Sequence, residues 1–238
     1  MKRSLKIIKY LFIVALVVFL YSFTTERNLK RKITKVDIEF VDENRPFITL
    51  NTVNKLLIQS HNNVTSINKE TLDLKEMENR LLKNPMIRDA QVYLSVDGVL
   101  GAKIEQRTPI ARVAGSPDYY LDTDGMKMPL SKIYTARVPL INGNSKLNFE
   151  KVTELLVKIN EDPFMKNSVV GLNVLADKKI ILQLRKQEFK VHLGKVEGIE
   201  KKFQNFKAFY QKSKQDNTLK EYKLVNLEYL SQVVATKL

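Results

Sequence analysis

The sequence contains no cysteine and no tryptophan, and its 238 residues include only eight glycines, seven prolines and two histidines. Without cysteine, neither a disulfide framework nor a thiolate nucleophile nor a zinc–thiolate site can form. The two histidines, His61 and His192, lie far apart along the chain, so no histidine-rich metal motif is present. These absences exclude the sequence motifs of most metal and redox sites.

Catalytic motifs are missing as well. The chain has no glycine-rich phosphate loop, no His-Glu-x-x-His helix and no Gly-x-Ser-x-Gly elbow. Asp122-x-Asp124-Gly125 is similar to the start of a calcium loop, but an EF-hand would need an oxygen ligand at Met126 and a glycine at Lys127. A tight turn is predicted there instead. We therefore expect a protein that is not an enzyme, with no cofactor, no bound metal and no small-molecule substrate.

The sequence has fewer acidic than basic residues. It contains 26 Asp and Glu and 40 Lys and Arg, so its formal net charge is +14. A basic surface can attract nucleic acid, anionic lipid or acidic proteins. Here the lysines are scattered among acidic residues and do not cluster on one motif, so the sequence does not predict a nucleic-acid partner. Contact of the basic face with lipid or cell wall stays open.

One long apolar run, residues 7–23, stands near the start of the chain. At about 1.5 Å per helical residue it covers roughly 25 Å, enough to cross a bilayer if Lys9 extends to the headgroups. Tyr10 and Tyr21 lie near its two ends, as interfacial aromatic residues do. The sequence therefore predicts a transmembrane helix over residues 7–23.

A cleaved secretory signal is the alternative interpretation of this run. Such signals end in a site of small residues, whereas residues 21–25 here read Tyr-Ser-Phe-Thr-Thr. A retained anchor is therefore predicted, with residues 1–6 as a cytoplasmic tail and residues 24–32 as a polar linker. Basic residues flank both ends of the run, so the charge difference across it is small. That difference favours an N-terminus in the cytoplasm, with the rest of the chain in the periplasm or otherwise outside the cytoplasm.

Residues 33–107 have the pattern of a small α+β domain. After a strand of alternating apolar and polar residues, two helices are predicted, the first capped by Asn51 and the second by Asp73. Two further alternating runs flank Asp97-Gly98, which predicts a β-hairpin whose two turn residues both adopt positive φ. The predicted order is β-α-α-β-β.

Residues 108–238 are predicted to form a β-rich second domain with two helices. Short strands separated by turns come first, and a helix follows from Asn148. After three more strands, a second helix is marked by apolar residues at helical spacing from Ile199. Two last strands are predicted at residues 224–230 and 232–236. Together with the first domain, this makes the predicted fold class α+β.

At this point the chain resembles the bacterial cell-division family FtsQ/DivIB, over nearly its whole length. Each phrase that carries the likeness is short, but six occur in the family's order. They are residues 84–87, 99–111, 120–125, 138–143, 191–194 and 225–229. The resemblance implies a POTRA domain over residues 33–107 and an FtsQ/DivIB C-terminal β domain over residues 108–238.

The resemblance further implies a non-catalytic scaffold of the divisome at the division septum of the cytoplasmic (inner) membrane. It implies that the β domain holds the small bitopic division proteins FtsB, or DivIC in related systems, and FtsL, which in turn regulate septal peptidoglycan synthesis. A partner strand would pair with an exposed sheet edge, for which the last strand is the candidate. A different use of the same domain, in envelope assembly or secretion with outer-membrane substrates, is the alternative.

The expected partner-binding residues lie at the end of the chain. Tyr229 and Ser231 fall where the family's partner contacts lie, and the expectation extends to Leu227, Leu230, Gln232, Val233 and Val234. Of the two valines, only one can offer its side chain to a partner, because neighbouring residues of a strand point to opposite faces. The family usually has an acid at Asn226 and an arginine at Glu228, so the partner chemistry here is expected to differ.

Overall fold

The computed structural model describes residues 2–29, 32–42, 46–58, 72–143 and 149–238. The chain separates into two compact units, Met1–Gln106 and Arg107–Leu238. Each unit combines helices with its own β-sheet, which confirms the predicted α+β class.

Helix α1 (Lys2–Leu29) contains the apolar run. Its segment Lys9–Glu26 is long and apolar enough to cross a membrane, and none of that segment is buried within the protein. The helix continues into the predicted linker, where the Thr24 and Thr25 hydroxyl groups donate to the carbonyls four residues earlier. Residues 30 and 31 of that predicted linker lie outside the described residues.

The rest of the first unit follows the predicted β-α-α-β-β order. Its elements are β1 (Lys35–Phe40), α2 (Leu50–Leu57), α3 (Leu74–Leu82), β2 (Ile87–Leu94) and β3 (Val99–Gln106). The sheet order is β1-β3-β2, with β1 parallel and β2 antiparallel to the central β3. Both helices pack their apolar residues against this sheet, where Val53, Leu81, Leu100 and Ile104 are buried.

The two helix starts show where local signals succeed and fail. Asp73 caps α3 as predicted, since its carboxylate accepts the Glu76 N–H at 2.9 Å. The cap of α2 is Thr49, whose hydroxyl accepts the Thr52 N–H at 3.1 Å, so the prediction for Asn51 was wrong. Thr49 and Asn51 are both acceptable caps in isolation, and the helix begins at the earlier one.

The predicted hairpin joins β2 to β3, but its turn is of another type. Among the described non-glycine residues only Lys178 and Asn217 have positive φ, so Asp97 does not, whereas Gly98 has φ +89°. The Gly98 N–H donates to the Ser95 carbonyl at 3.2 Å, and the Ser95 N–H donates to the Val99 carbonyl at 2.9 Å. This is a three-residue loop with glycine at its left-handed position, not a two-residue type I′ turn.

The second unit contains a larger set of elements than the sequence predicts. Its strands are β4 (Pro109–Val113), β5 (Tyr119–Asp122), β6 (Lys127–Pro129), β7 (Leu140–Gly143), β8 (Val169–Val174), β9 (Ile180–Leu184), β10 (Lys190–Gly194), β11 (Tyr222–Asn226) and β12 (Val234–Lys237). Its helices are α4 (Phe149–Glu161), α5 (Pro163–Ser168) and α6 (Ile199–Gln215).

Helices α4 and α6 are the two that the sequence predicts, although the predicted start of α4 at Asn148 lies outside the described residues. The additional α5 is only six residues long and begins at Pro163, after the Asp162 cap. Asp162 accepts the N–H groups of Phe164 and Met165 at 3.0 and 3.1 Å. Such a short helix offers little periodicity to a sequence pattern, which explains why it was missed.

All nine strands of the second unit form one sheet, in the order β12-β11-β10-β9-β8-β7-β4-β5-β6. Strands β7 and β8 are parallel neighbours joined through α4 and α5, and β10 and β11 are parallel neighbours joined through α6. Strands β7 and β10 run the same way and both connections step in the same direction, so right-handed crossovers place all three helices on one face. That face holds the core.

One cross-strand row shows how far this core extends. The register aligns Ile141, Leu172, Leu182, Val191 and Val225, which are all buried, on neighbouring strands. The row ends on β12 at Ala235, which is partly buried against the same core. The last strand is therefore fastened to the sheet by side-chain packing as well as by backbone hydrogen bonds.

Candidate partner-binding edge

Strand β12 lies at one end of the nine-stranded sheet and, among the described strands, pairs only with β11. The Leu238 N–H donates to the Glu221 carbonyl at 2.8 Å, which sets the hydrogen-bonding phase of the pair. Alternate residues of an antiparallel strand direct their N–H and C=O groups to the same side. Val234 and Thr236 therefore face β11, whereas Ala235 and Lys237 direct their backbone groups away from the sheet. Val233, just before the strand, continues this outward phase.

The segment between β11 and β12, residues 227–233, leaves the sheet. Sequence reasoning predicted strands at residues 224–230 and 232–236, but β11 ends at Asn226 and β12 begins at Val234. The Asn226 side-chain oxygen accepts the Glu228 N–H at 2.8 Å, an Asx turn that redirects the chain. This local turn, which an apolar pattern does not reveal, ends β11.

Leu227 is buried in the core, with 1% of its surface exposed, so it cannot offer its side chain to a partner. Its N–H donates to the His192 carbonyl at 2.8 Å. The expectation that Leu227 contacts a partner is corrected: this residue anchors the start of the segment.

Tyr229 and Leu230 are exposed, with about half of each side chain open to solvent. The Leu230 side chain covers Gly198, where an added Cβ would lie 2.6 Å from a Leu230 methyl carbon. The Leu230 carbonyl accepts the Asn205 side-chain amide at 2.9 Å. Two contacts from the α6 region thus hold an exposed apolar residue in one position.

The remaining predicted residues divide between solvent and core. Ser231 and Gln232 are exposed, Val233 packs partly against the core, and Val234 is exposed on the opposite face. Val233 and Val234 thus differ in exposure, as expected for neighbouring residues that point to opposite faces. The structure leaves Tyr229, Leu230, Ser231 and Gln232 exposed in the segment before β12, and Val234 exposed on β12 itself.

Glu228 has a partner inside the chain. Its carboxylate pairs with the Lys179 ammonium at 3.1 Å, and its stem lies over Gly194, which has φ +74°. The hydrogen bond to Glu228, with the charge of that carboxylate, raises the pKa of Lys179 above its usual value. Lys179, on the β8–β9 turn, thus supplies a local cation for the Glu228 carboxylate.

A buried lysine supports the loop beneath this segment. The Lys202 ammonium donates to the carbonyls of Leu193 and Lys195, both at 2.8 Å, while the side chain is almost fully buried. Burial lowers the pKa of Lys202, and the carboxylates of Glu197 and Glu228 oppose that shift. By fixing two carbonyls ahead of Gly198, Lys202 positions the platform on which Leu230 rests.

Sequence reasoning missed the residues that support the surface, namely Lys179, Lys202 and Asn205. They are distant in sequence from the segment that they hold, and each has a residue type that is common on helices and turns. The useful signal was glycine, because Gly194 and Gly198 stand close together in a chain with only eight glycines.

The Asp122 turn contains no candidate metal centre. One carboxylate oxygen of Asp122 accepts the N–H groups of Asp124 and Met126 at 3.0 and 2.7 Å, and the other pairs with Arg107 at 2.7 Å. The predicted tight turn is confirmed by this satisfied carboxylate. Within the described part of the chain, no group of three or more His, Asp or Glu side chains is placed to hold a metal ion.

Comparison with known protein families first gives the class of each unit. Residues 31–105 match the model of the POTRA-like domain, in agreement with the β-α-α-β-β order of the first unit. Residues 108–236 match the model described as FtsQ/DivIB, C-terminal related, which covers more than half of the chain. A comparison with curated proteins found no significant match.

The chain belongs to the FtsQ/DivIB family. This confirms the resemblance seen in the sequence and indicates a role in bacterial cell division. The family is known as non-catalytic, and the apolar helix α1 suggests a single-pass membrane anchor.

Proposed function

We propose that this chain is a non-catalytic, membrane-anchored scaffold of the divisome. It binds FtsB-like or DivIC-like proteins and FtsL-like proteins, and it links early division proteins to septal peptidoglycan synthesis. The observation that carries the proposal is the edge of β12, whose outer side is paired with no described strand. Beside it lie the exposed Tyr229 and the exposed Leu230, whose carbonyl accepts from Asn205. An extended partner segment adds to such an edge through main-chain hydrogen bonds.

In this proposal the backbone groups of β12 provide binding affinity, and the neighbouring side chains determine which partner binds. Val233, Ala235 and Lys237 offer outward N–H and C=O groups to the partner strand. Tyr229, Leu230, Ser231, Gln232 and Val234 contact its side chains. Tyrosine, the residue type of the exposed Tyr229, is enriched among the residues that dominate interface energy.

The proposed topology follows from α1. The N-terminus lies in the cytoplasm, residues Lys9–Glu26 cross the cytoplasmic membrane, and both folded units lie on its outer side at the septum. The FtsB-like and FtsL-like partners are themselves bitopic membrane proteins. Their extracytoplasmic segments therefore meet the second unit on the same side of the membrane.

Two proline substitutions test strand addition, because they remove N–H groups that face opposite ways. Val233→Pro removes an outward donor, so binding of the FtsB-like partner should fall at least tenfold while the thermal midpoint Tm changes little. Val234→Pro removes a donor that faces β11 and should lower the Tm of the second unit. Binding is measured with the purified full chain in detergent and the partner's extracytoplasmic segment.

Val233→Ala is the matched control, since it shortens the same side chain and keeps the N–H. Its binding should stay within about threefold of the native chain. Equal losses for Val233→Pro and Val233→Ala would assign the effect to side-chain packing and contradict strand addition. Unchanged binding by both Val233→Pro and Tyr229→Ala would remove this surface from the proposal altogether.

A further inference from the structure

A cleft of about 790 Å³ opens at the end of the second unit where β11 starts and the chain reaches Leu238. We call it the lysine cleft. It is lined by Lys186, Gln187, Glu188, Phe189, Lys214, Asn217, Leu219, Lys220, Tyr222, Lys223 and Leu238. Its size lies within the range of about 300–1,000 Å³ that small-ligand sites occupy.

The lining carries an excess of positive charge. Four of its residues are lysines, and Glu188 is the one acidic side chain among them. Other lysines of this unit are paired with carboxylates, such as Lys207 with Asp162 at 2.6 Å and Lys237 with Glu221 at 2.7 Å. Within the described residues, none of the four cleft lysines has a carboxylate oxygen within 4.0 Å. Their charges are thus available to a ligand.

Separate elements bring the four lysines around one space. Lys186 lies between β9 and β10, Lys214 lies in the last turn of α6, and Lys220 and Lys223 flank the start of β11. The end of α6 is closed by Asn217 with φ +58°, and the Thr218 and Asn217 N–H groups donate to the carbonyls of Ser213 and Lys214. This Schellman motif fixes the wall that carries Lys214.

The floor of the cleft is apolar and well packed. Phe189 is buried in the core, while Leu219 and Tyr222 pack partly against it. The rings of Phe209 and Tyr222 meet edge to face with centroids 5.1 Å apart. Because the floor belongs to the core and the wall ends in a capped helix, the cleft exists before any ligand binds.

We propose that the lysine cleft binds phosphate groups of an anionic envelope component. Lysines that several elements bring to the lining of one cleft suit a tetrahedral phosphate, whose oxygens accept from several donors at once. Lysine is an established phosphate ligand that acts as a point charge, and the lining contains four lysines and no arginine. The phosphates belong either to lipid headgroups or to a soluble phosphate-rich polymer, and both present the same chemistry.

The test uses the full chain in a non-ionic detergent and inorganic tripolyphosphate as the probe, with affinity measured by calorimetry. The triple variant Lys214→Gln, Lys220→Gln and Lys223→Gln should bind at least tenfold more weakly. The control variant Lys132→Gln, Lys166→Gln and Lys195→Gln removes the same charge from exposed lysines outside the cleft and should change affinity less than twofold. A thermal melt of each variant checks that the unit remains folded.

Equal weakening by both triple variants would reduce the effect to net charge and overturn the proposal, as would the absence of binding by the native chain. Equal affinity for a triglutamate peptide would overturn it in favour of an acidic protein partner.

A competition experiment then identifies the source of the phosphate. Displacement of the probe by monomeric dihexanoyl phosphatidylglycerol assigns lipid headgroups, and failure to displace it assigns a soluble polymer. Partner binding at β12 is measured separately, so either proposal can fail alone.

Discussion

The two sheets of this protein end in edge strands that differ in one respect. In the first unit, β2 lies at the edge, and the Val92 N–H that points away from β3 is bonded by the Glu78 carboxylate of α3 at 2.8 Å. In the second unit, β12 lies at the edge, and no described strand or helix is paired with its outer side. One edge is closed by a side chain of its own unit, and the other is open.

The difference shows that one protein can cover the edge of one sheet and leave the edge of another sheet uncovered. Unpaired edges invite addition of further strands, so natural proteins cover them unless they serve binding. An α3 side chain at β2 removes a donor that a foreign strand would need. At β12 no described strand pairs with the outward backbone groups of Ala235 and Lys237, and Tyr229 and Leu230 nearby are exposed.

The largest effect that we predict concerns the anchor of the open edge. Leu227→Ala should lower the free energy of unfolding of the second unit by about 2–5 kcal/mol, because it leaves a cavity where a leucine is fully packed. Urea unfolding followed by hydrogen exchange resolves the two units. The control Tyr229→Ala removes an exposed side chain and should change stability by less than about 0.5 kcal/mol. Equal effects of the two changes would show that Leu227 is not an anchor.

A smaller effect is predicted at the closed edge. Glu78→Ala leaves the Val92 N–H without its acceptor and should destabilise the first unit by about 0.5–1.5 kcal/mol. Glu78→Gln keeps an acceptor oxygen and should retain most of this stability. The measurement is hydrogen exchange at Val92, which should be faster in Glu78→Ala than in Glu78→Gln. If both variants exchange at the native rate, Glu78 does not close the edge.

The smallest effect is a pH dependence beside the open edge. The hydrogen bond from Glu228, together with its charge, raises the pKa of Lys179 in the folded state. A raised pKa means that the pair contributes its stability below the unfolded-state value and loses it as pH rises through the folded-state value. Alkaline unfolding of the native chain should therefore be slightly steeper than that of Glu228→Gln. Identical alkaline profiles would exclude this pair as a stabilising contact.

Prediction from sequence succeeded where the signal was local. The Asp73 cap, the hairpin around Gly98 and the buried face of α4 at Val152, Leu155 and Ile159 depend on residues within one or two turns of each other. The residues that we propose for partner binding agree with the structure only in part. Tyr229, Leu230 and Val234 are exposed, but Leu227 belongs to the core and the segment after Asn226 is not a strand.

Strand order shows the limit of such signals. The first unit and residues 140–184 of the second unit share the element order β-α-α-β-β. In the first, β1 pairs with β3, the second strand of the hairpin, whereas in the second unit β7 pairs with β8, the first strand of its hairpin. The same order of elements thus gives two sheets, because pairing depends on which strand presents apolar residues to the helices and to both neighbours.

The amino-acid sequence by itself determined the apolar helix, the two folded regions, the family, the start of α3 and the position of the β2–β3 hairpin. Only the tertiary structure decided which strand lies at the edge, which apolar residues near the C-terminus are buried, and which distant groups, such as Asn205 and Lys179, hold the exposed segment. The physical reason is the distance along the chain between the residues that interact. Caps, turns and periodicity act between neighbours in the chain, whereas edges, burial and ion pairs arise from contacts between residues that the chain brings together only when it folds.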